Sequence, residues 1–286
     1  ETEKPAAMNR LTEGEVGSGK TIVALLASLR AVEFGYQAAI MAPTEVLAEQ
    51  HYLTIHRWVE PLGVGVALLT SNIKGSEREE IYDRIRRGEV QIVIGTHAVI
   101  QEQVEFHRLG LAIIDEQHKF GVVQRGLLKK KGGNPDVLVM TATPIPRTLA
   151  MTIYGDLDIS LIDEMPPGRM PVETRVFPES ARNRVYRIVE EEVKKGRQVF
   201  IVYPLVEESE KLDLMDATQM AEHLQKEVFP GFRIGLLHGR MKSDEKEAIM
   251  GEFKERAIHI LVATTVIEVG IDIPNASVMV VEHAER

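Results

Sequence analysis

Residues 14–21 have the residue types and the spacing of a loop that binds phosphate groups. They read Gly-Glu-Val-Gly-Ser-Gly-Lys-Thr, which matches the pattern G-x-x-x-x-G-K-[ST] at every fixed position. A nucleoside triphosphate carries several negative charges, so its loop must offer many backbone N–H groups at close range, and glycines permit the bends that this requires. The residues predicted to bind the nucleotide here are Gly14, Gly17, Ser18, Gly19, Lys20 and Thr21.

Lys20 and Thr21 carry the side chains of this loop that could act on the phosphates themselves. Lys20 is predicted to reach the β- and γ-phosphates, and Thr21 is predicted to place its hydroxyl on Mg²⁺. The apolar run at 22–29 fits a helix whose positive amino terminus faces the phosphates. The alternative is a glycine-rich turn that happens to precede a lysine. The pattern favours a site for ATP and Mg²⁺.

Two acidic residues follow the apolar run at 109–114 and supply the second part of the predicted chemistry. ATP hydrolysis needs a carboxylate for Mg²⁺ and a group that positions and deprotonates water. We assign Asp115 to the metal shell beside Thr21, and Glu116 to the role of general base. The alternative for Asp115 is a helix N-cap, where aspartate is favoured. Neighbouring polar residues are candidates for coupling between sites, or are ordinary strand and surface residues: Gln117, His118, Thr141 and Thr143.

Apolar runs alternate with helical patterns along the whole chain, which is typical of an α/β fold with parallel sheets. Polar residues repeatedly follow the predicted strands, so the site should lie along the carboxyl edge of a sheet. Predicted strands are 37–42, 65–69, 90–94, 109–114, 137–140, 199–203, 233–237, 258–263 and 276–281. Predicted helices are 21–34, a helix opening at 43–45, and 76–87, 180–195, 217–226 and 243–253.

The segment 161–171 interrupts this alternation and divides the chain. It carries three prolines and a glycine, which suits neither a helix nor a central strand. We therefore place the linker here, between a first domain at 1–165 and a second domain at 172–286. The two halves share an alternating pattern, but the sequence alone shows no residues common to both.

Composition restricts the class of protein. The 286 residues include no cysteine, which excludes disulfides, cysteine nucleophiles and Cys-ligated zinc. No apolar run reaches the roughly 18–20 residues that cross a bilayer, so we expect a cytoplasmic protein without a membrane partner. The net charge of −9 argues against a uniformly basic nucleic-acid binder, but binding follows the distribution of charge rather than its sum.

Several motifs together resemble those of superfamily-2 DNA helicases, and specifically the RecG family of branched-DNA translocases. The resemblance spans essentially the whole chain, and the motifs are specific only when taken together. It is carried by MAPTEVLAEQH at 41–51, GTHAVIQ at 95–101, DEQH at 115–118, FGVVQR at 120–125, TATPIPRTLA at 141–150, VYPLVEESE at 202–210, LHGRMK at 237–242 and TTVIEVGIDIP at 264–274.

The resemblance implies two tandem RecA-like domains that use ATP and Mg²⁺ and bind forked or branched DNA, as a monomeric motor. It assigns Gly270 and Asp272 to the nucleotide, reached from the second domain. It also assigns a set of residues to the nucleic-acid backbone, where small hydroxyls and N–H groups position a strand without reading its sequence. These are Pro43, Thr44, Thr96, His97, His238, Gly239, Thr264 and Thr265.

The chain departs from the family pattern around the phosphate loop. Leu-Thr-Glu-Gly-Glu stands at 11–15, where the family usually has Leu-Leu-Gln-Gly-Asp, and Lys119 stands where arginine is common. Glu13 and Glu15 bring negative charge towards bound phosphate and should weaken ATP binding. The family's upstream adenine-reading motif, its fork-gripping domain and its late arginine-rich motif are missing, so we expect a motor portion with weak activity.

Two other functions remain open from the residues. One is a motor related to the transcription-repair coupling factors, which share the TATPIPRT motif. The other is a module that binds nucleotide without hydrolysing it. Ser18 and Gln117 favour the RecG type over the coupling factors.

Overall fold

A computed structural model describes residues 7–116, 131–143, 158–164, 171–203, 218–264 and 273–284. The chain divides between Pro171 and Val172 into two compact units. Each unit holds one sheet, and every strand pair described in either sheet is parallel. The prediction of two α/β domains with mainly parallel sheets is confirmed. None of the described helices has the length and apolarity to span a bilayer.

The first unit is built on a seven-stranded sheet with the order β3-β4-β2-β5-β6-β1-β7. Its strands are β1 (Asn9–Gly14), β2 (Gln37–Met41), β3 (Val66–Leu69), β4 (Ile92–Gly95), β5 (Leu109–Asp115), β6 (Asp136–Thr141) and β7 (Asp158–Ile162). Its longer described helices are α1 (Lys20–Glu33), α2 (Glu45–Val59) and α3 (Gly75–Arg86).

The core of this unit lies on both faces of the sheet, which explains why its strands read as continuous apolar runs. All five residues of β2 are buried, and successive side chains of a strand point to opposite faces. Ile40 belongs to the cluster that includes Leu25 of α1 and Ile55 of α2. Ala39 belongs to the cluster that includes Ile85 of α3.

The second unit has a four-stranded sheet with the order β11-β8-β10-β9. Its strands are β8 (Gln198–Tyr203), β9 (Ile234–Leu237), β10 (Ile260–Thr264) and β11 (Ala276–Val281), and its helices include α4 (Arg182–Lys194) and α5 (Ser243–Lys254). Phe200 of β8 packs edge-on against Phe253 of α5, with 4.9 Å between ring centroids. Both rings are buried.

The two units repeat one arrangement of strands. The order β9-β10-β8-β11 follows the same path as β3-β4-β2-β5, and Val199 pairs with Ile260 as Ala38 pairs with Ile92. This correspondence shows a residue common to both units that the sequence analysis did not find. β2 begins with the buried Gln37, and the equivalent strand β8 begins with the buried Gln198.

Each of these glutamines clamps the turn between a helix and the next strand. The Gln37 amide donates to the carbonyls of Ile85 (2.9 Å) and Val90 (2.7 Å). The Gln198 amide donates to those of Phe253 (2.5 Å) and Ile258 (2.8 Å). Residues 85, 90, 253 and 258 are buried, so their carbonyls need partners within the protein. The carbonyls of Ile85 and Phe253 also accept from backbone N–H groups in their turns, whereas those of Val90 and Ile258 accept from the glutamine amide.

The predicted start of the linker is wrong. Residues 161 and 162 belong to β7, where Leu161 pairs with Glu13 and Ile162 pairs with Gly14. β7 lies at the edge of the sheet, and Leu161 is 64% exposed, so the segment lacks the apolar character of a central strand. The part of the predicted linker at 165–170 lies outside the described residues.

Candidate nucleotide and nucleic-acid sites

The predicted phosphate loop connects β1 to α1, and two of its glycines are required by the backbone. Gly19 caps α1 with φ 97°, a left-handed conformation that side chains disfavour. A Cβ on Gly14 would lie 2.7 Å from Ser18 Oγ and 3.0 Å from Ile162 Cβ. The close packing of β1 on β7 therefore leaves room only for hydrogen at position 14.

The amino terminus of α1 has the features of an anion site. No side chain caps it and its first turn holds no acidic residue, while the first N–H groups of a helix have no partner within the helix. Ser18 Oγ is buried without a hydrogen-bond partner in the described part of the chain. Lys20 Nζ donates to the carbonyl oxygens of Gly14 (2.7 Å) and Glu15 (2.9 Å). The N–H groups of α1, the Ser18 hydroxyl and the Lys20 ammonium are all donors that could bind a phosphate.

Lys20 is electrostatically linked to the two acidic residues that end β5. Burial lowers the pKa of the Lys20 ammonium, and the carboxylates of Asp115, Glu116 and Glu15, in that order, oppose the shift. The lysine of the loop and the carboxylates at the strand end therefore share one site. The structure brings together all three residues predicted to be catalytic.

The side chain of Glu116 is held at both carboxylate oxygens by the end of β6. Oε1 accepts from the backbone N–H of Ala142 (3.1 Å), and Oε2 accepts from the hydroxyl of Thr141 (3.3 Å). The backbone of Glu116 has φ 48°, a strained conformation for a residue with a side chain, and such strain gathers at functional sites. Thr143 N–H donates to Thr141 Oγ1 (3.1 Å), so both described coupling candidates connect to Glu116.

Asp115 is also held at both oxygens, and one partner was not predicted. Its Oδ1 accepts from the N–H of Glu116 (3.0 Å), and its Oδ2 lies 2.8 Å from Nε2 of His51 on α2. Both side chains of this pair are buried. The signal in the sequence was a histidine among the apolar positions of α2, because His51 shares a buried face with Leu47 and Ile55.

The nucleic-acid candidates of the first unit fall at the ends of β2 and β4. Pro43 and Thr44 precede α2, and Thr44 Oγ1 accepts from Leu47 N–H (3.2 Å) as the helix N-cap. Thr96 follows β4 and is buried, and within the described residues its hydroxyl has no hydrogen-bond partner. His97 next to it is exposed.

The candidates of the second unit show the same feature. Thr264 ends β10 and is 0% exposed, and its hydroxyl likewise lacks a partner among the described residues. Since Ile92 and Ile260 are equivalent in register, Thr96 and Thr264 occupy the same position in the two units. Burial lowers the pKa of His238, with help from Lys246, and Gly239 beside it is exposed.

Tyr203, which ends β8, is a further residue that the sequence did not single out. Its hydroxyl is buried and has no partner in the described ranges, and burial raises its pKa. Five other predicted site residues lie outside those ranges and stay predictions: Gln117, His118, Thr265, Gly270 and Asp272.

Comparison with known proteins identifies the class of this fold and site. Residues 4–152 match the family model of DEAD/DEAH box helicases, and residues 181–286 match that of the helicase conserved C-terminal domain. The chain belongs to the DEAD/DEAH box helicase family.

The resemblance to RecG is confirmed by relatives and by a solved structure. The chain is 56% identical to the ATP-dependent DNA helicase RecG of Synechocystis sp., over 99% of this chain and 34% of that protein. It is 55% identical to RecG of Thermotoga maritima, over 100% of this chain and 36% of that protein. A structure of RecG bound to a three-way DNA junction superposes with a TM-score of 0.79 and 48% identity, covering 97% of this chain and 36% of that one.

A more distant structure shows the fold alone. Mss116p bound to single-stranded RNA and AMP-PNP gives a TM-score of 0.65 at 20% identity, covering 96% of this chain and 61% of that one. The present chain spans about a third of the length of the Synechocystis and Thermotoga relatives.

Proposed function

We propose that this chain is the ATP-driven motor of a DNA helicase or translocase that acts on branched DNA, such as replication forks and recombination junctions. It would couple ATP hydrolysis to movement along duplex DNA. The observation that carries the proposal concerns Thr96 and Thr264, which lie at the carboxyl ends of equivalent strands. Both have buried hydroxyls that lack hydrogen-bond partners among the described residues. The likeness to RecG over nearly the whole chain supports the same function.

Hydrolysis would be carried out by the residues that meet at the end of β5. Lys20 would exchange its bonds to the Gly14 and Glu15 carbonyls for bonds to phosphate oxygens. Glu116 would orient the attacking water and accept its proton, since Thr141 and Ala142 fix the direction of its carboxylate.

Mg²⁺ is proposed as the metal because it is usually held by one or two carboxylates together with phosphates and waters. The electrostatic link between Asp115 and Lys20 places one such carboxylate near the phosphate loop. Thr21 and Asp115 would supply the protein's share. When bound, the ion neutralises charge that develops on the phosphates.

DNA would be held by its backbone at the strand ends of both units. The hydroxyls of Thr96 and Thr264 are buried in this structure; they would turn towards the DNA when it binds and donate to phosphate oxygens, a contact that positions a strand without reading its sequence. Pro43 and Thr44 in the first unit and His238 in the second are proposed as further contacts to the DNA backbone. We further propose a monomer that works in the cytoplasm, with Gly270 and Asp272 as nucleotide-binding residues.

Binding and turnover with two DNA shapes test this proposal. The chain should bind a three-way junction more tightly than a linear duplex of equal length, and it should hydrolyse ATP slowly, with little response to the junction. Glu116→Gln should keep Mg-ATP binding and lose turnover, because the amide keeps the shape and cannot accept the proton. Glu105→Gln is the matched control, since that exposed glutamate pairs with Arg86 at 2.9 Å away from the site.

Three results would favour other functions. Nucleotide binding with no turnover, even with junction DNA, would favour a module that does not hydrolyse ATP. Equal binding to both DNA shapes would argue for a motor on linear duplex. Full activity in Glu116→Gln would place the general base elsewhere.

A further inference from the structure

A buried histidine on α2 contacts the carboxylate assigned to the metal shell. His51 Nε2 lies 2.8 Å from Asp115 Oδ2, and the two residues are each 7% exposed. They are 64 positions apart in the chain, so the contact comes from the packing of α2 on the sheet. An ionised carboxylate only accepts hydrogen bonds, so we assign the hydrogen of this bond to Nε2.

The geometry explains why such a contact matters for a metal ligand. Asp115 ends β5, and its backbone is fixed by pairing with β2 and β6. Its carboxylate could still rotate about the terminal side-chain bond, where the preference for one angle is weak. His51 at Oδ2 and the N–H of Glu116 at Oδ1 (3.0 Å) remove that freedom. A carboxylate offers about four acceptor sites, so each oxygen keeps capacity for a metal-bound water or the ion.

The position of His51 on its helix argues against a role in packing alone. The other members of its buried face are Leu47, Ala48, Ile55 and Val59, where an apolar side chain would fill the space without a polar cost. Burying an imidazole among them costs free energy unless it is hydrogen-bonded. The hydrogen bond with Asp115 offsets this cost.

We propose that His51 is a positioning residue, which donates from Nε2 to Asp115 Oδ2 and holds that carboxylate in the orientation that binds the nucleotide's metal ion. The proposal rests on the proposed function, since it takes Asp115 to be in the metal shell. Outer-shell partners of metal ligands typically account for about 10- to 100-fold in metal affinity or activity. His51 is the candidate for such a partner here.

The test measures metal affinity directly rather than turnover. Mn²⁺ is titrated into the 286-residue chain with a non-hydrolysable ATP analogue, and free Mn²⁺ is followed by electron paramagnetic resonance. His51→Leu should weaken nucleotide-linked Mn²⁺ binding by about 10- to 100-fold. His51→Gln should recover most of the affinity, because its amide nitrogen reaches a place close to that of Nε2. His51→Asn should not recover it, since its shorter amide corresponds to Nδ1.

Two controls separate positioning from folding. His56→Leu changes another histidine of α2, one that packs against Tyr52 at 5.4 Å, and should leave Mn²⁺ affinity unchanged. Urea unfolding of each variant reports stability, so a loss of affinity in a variant as stable as His51→Gln supports positioning.

The outcomes also separate this proposal from the function on which it rests. If the parent chain binds Mn²⁺ with the analogue and His51→Leu binds it equally well, His51 does not position Asp115 and the proposed function still stands. If Leu, Asn and Gln variants all lose affinity in parallel with stability, the role is structural and the proposal fails. If the parent shows no nucleotide-linked Mn²⁺ binding, the metal-site assignment itself falls.

Discussion

Replacing Thr96 and Thr264 by valine tests whether their hydroxyls serve DNA binding or the stability of the fold. Valine keeps the shape of threonine and removes the hydroxyl, and in the described residues neither hydroxyl has a hydrogen-bond partner. A buried polar group without a partner costs about 1–3 kcal/mol. Each Thr→Val variant should therefore be as stable as the parent, or more stable by about 1 kcal/mol.

The affinity of the same variants for DNA should fall, although their stability does not. A hydrogen bond to a charged group contributes about 1.5–3 kcal/mol, so losing one phosphate contact should weaken binding by about 10- to 100-fold. A hydroxyl neutralises no phosphate, and the slope of log affinity against log salt should therefore stay unchanged. Loss of one lysine or arginine contact would instead lower that slope by about 0.9. The loss should also be equal for DNA of different sequences.

The assay combines urea unfolding with fluorescence anisotropy of a labelled three-way junction at several salt concentrations. Thr141→Val is the control for stability, because Thr141 Oγ1 donates to Glu116 (3.3 Å) and accepts from Thr143 (3.1 Å). That variant should lose about 1–2 kcal/mol. The reasoning is refuted if Thr96→Val and Thr264→Val are destabilised like Thr141→Val while junction binding is unchanged.

Three further predictions follow from the described contacts. Lys20→Ala should abolish nucleotide binding in a titration with a fluorescent ATP analogue, and parent-like affinity would show that the loop does not hold the phosphates. Glu15→Gln should tighten ATP binding by up to about fivefold, since repulsion between two unit charges close together in water is worth about 1 kcal/mol, whereas unchanged or weaker binding would show that Glu15 does not repel the phosphates. Gln198→Met should lower the unfolding free energy by about 1–3 kcal/mol, because the buried carbonyl of Ile258 loses the amide that donates to it, and Gln37→Met should do the same to the carbonyl of Val90 in the first unit.

The sequence alone determined the elements and the chemistry that depend on local spacing. Apolar periodicity predicted β2 to β6, β8 to β11 and the longer helices to within a few residues, because burial on both sheet faces imposes continuous apolar runs. The phosphate-loop pattern is likewise local, since β1, the glycines and α1 follow one another directly. The roles assigned to individual site residues stay predictions, although Lys20, Asp115 and Glu116 do meet in one place.

Tertiary structure decided what depends on partners far apart in the chain. β7 is a strand only because β1 supplies its hydrogen bonds across the edge of the sheet. The repeated glutamine clamp and the equivalence of Thr96 with Thr264 emerge only from strand register, which no short stretch of sequence specifies. His51 was visible as a polar residue on an apolar helix face, but its partner Asp115 lies on another element. Parallel strands and the helices that cross over them bring distant residues together, so their contacts leave no local periodicity to read.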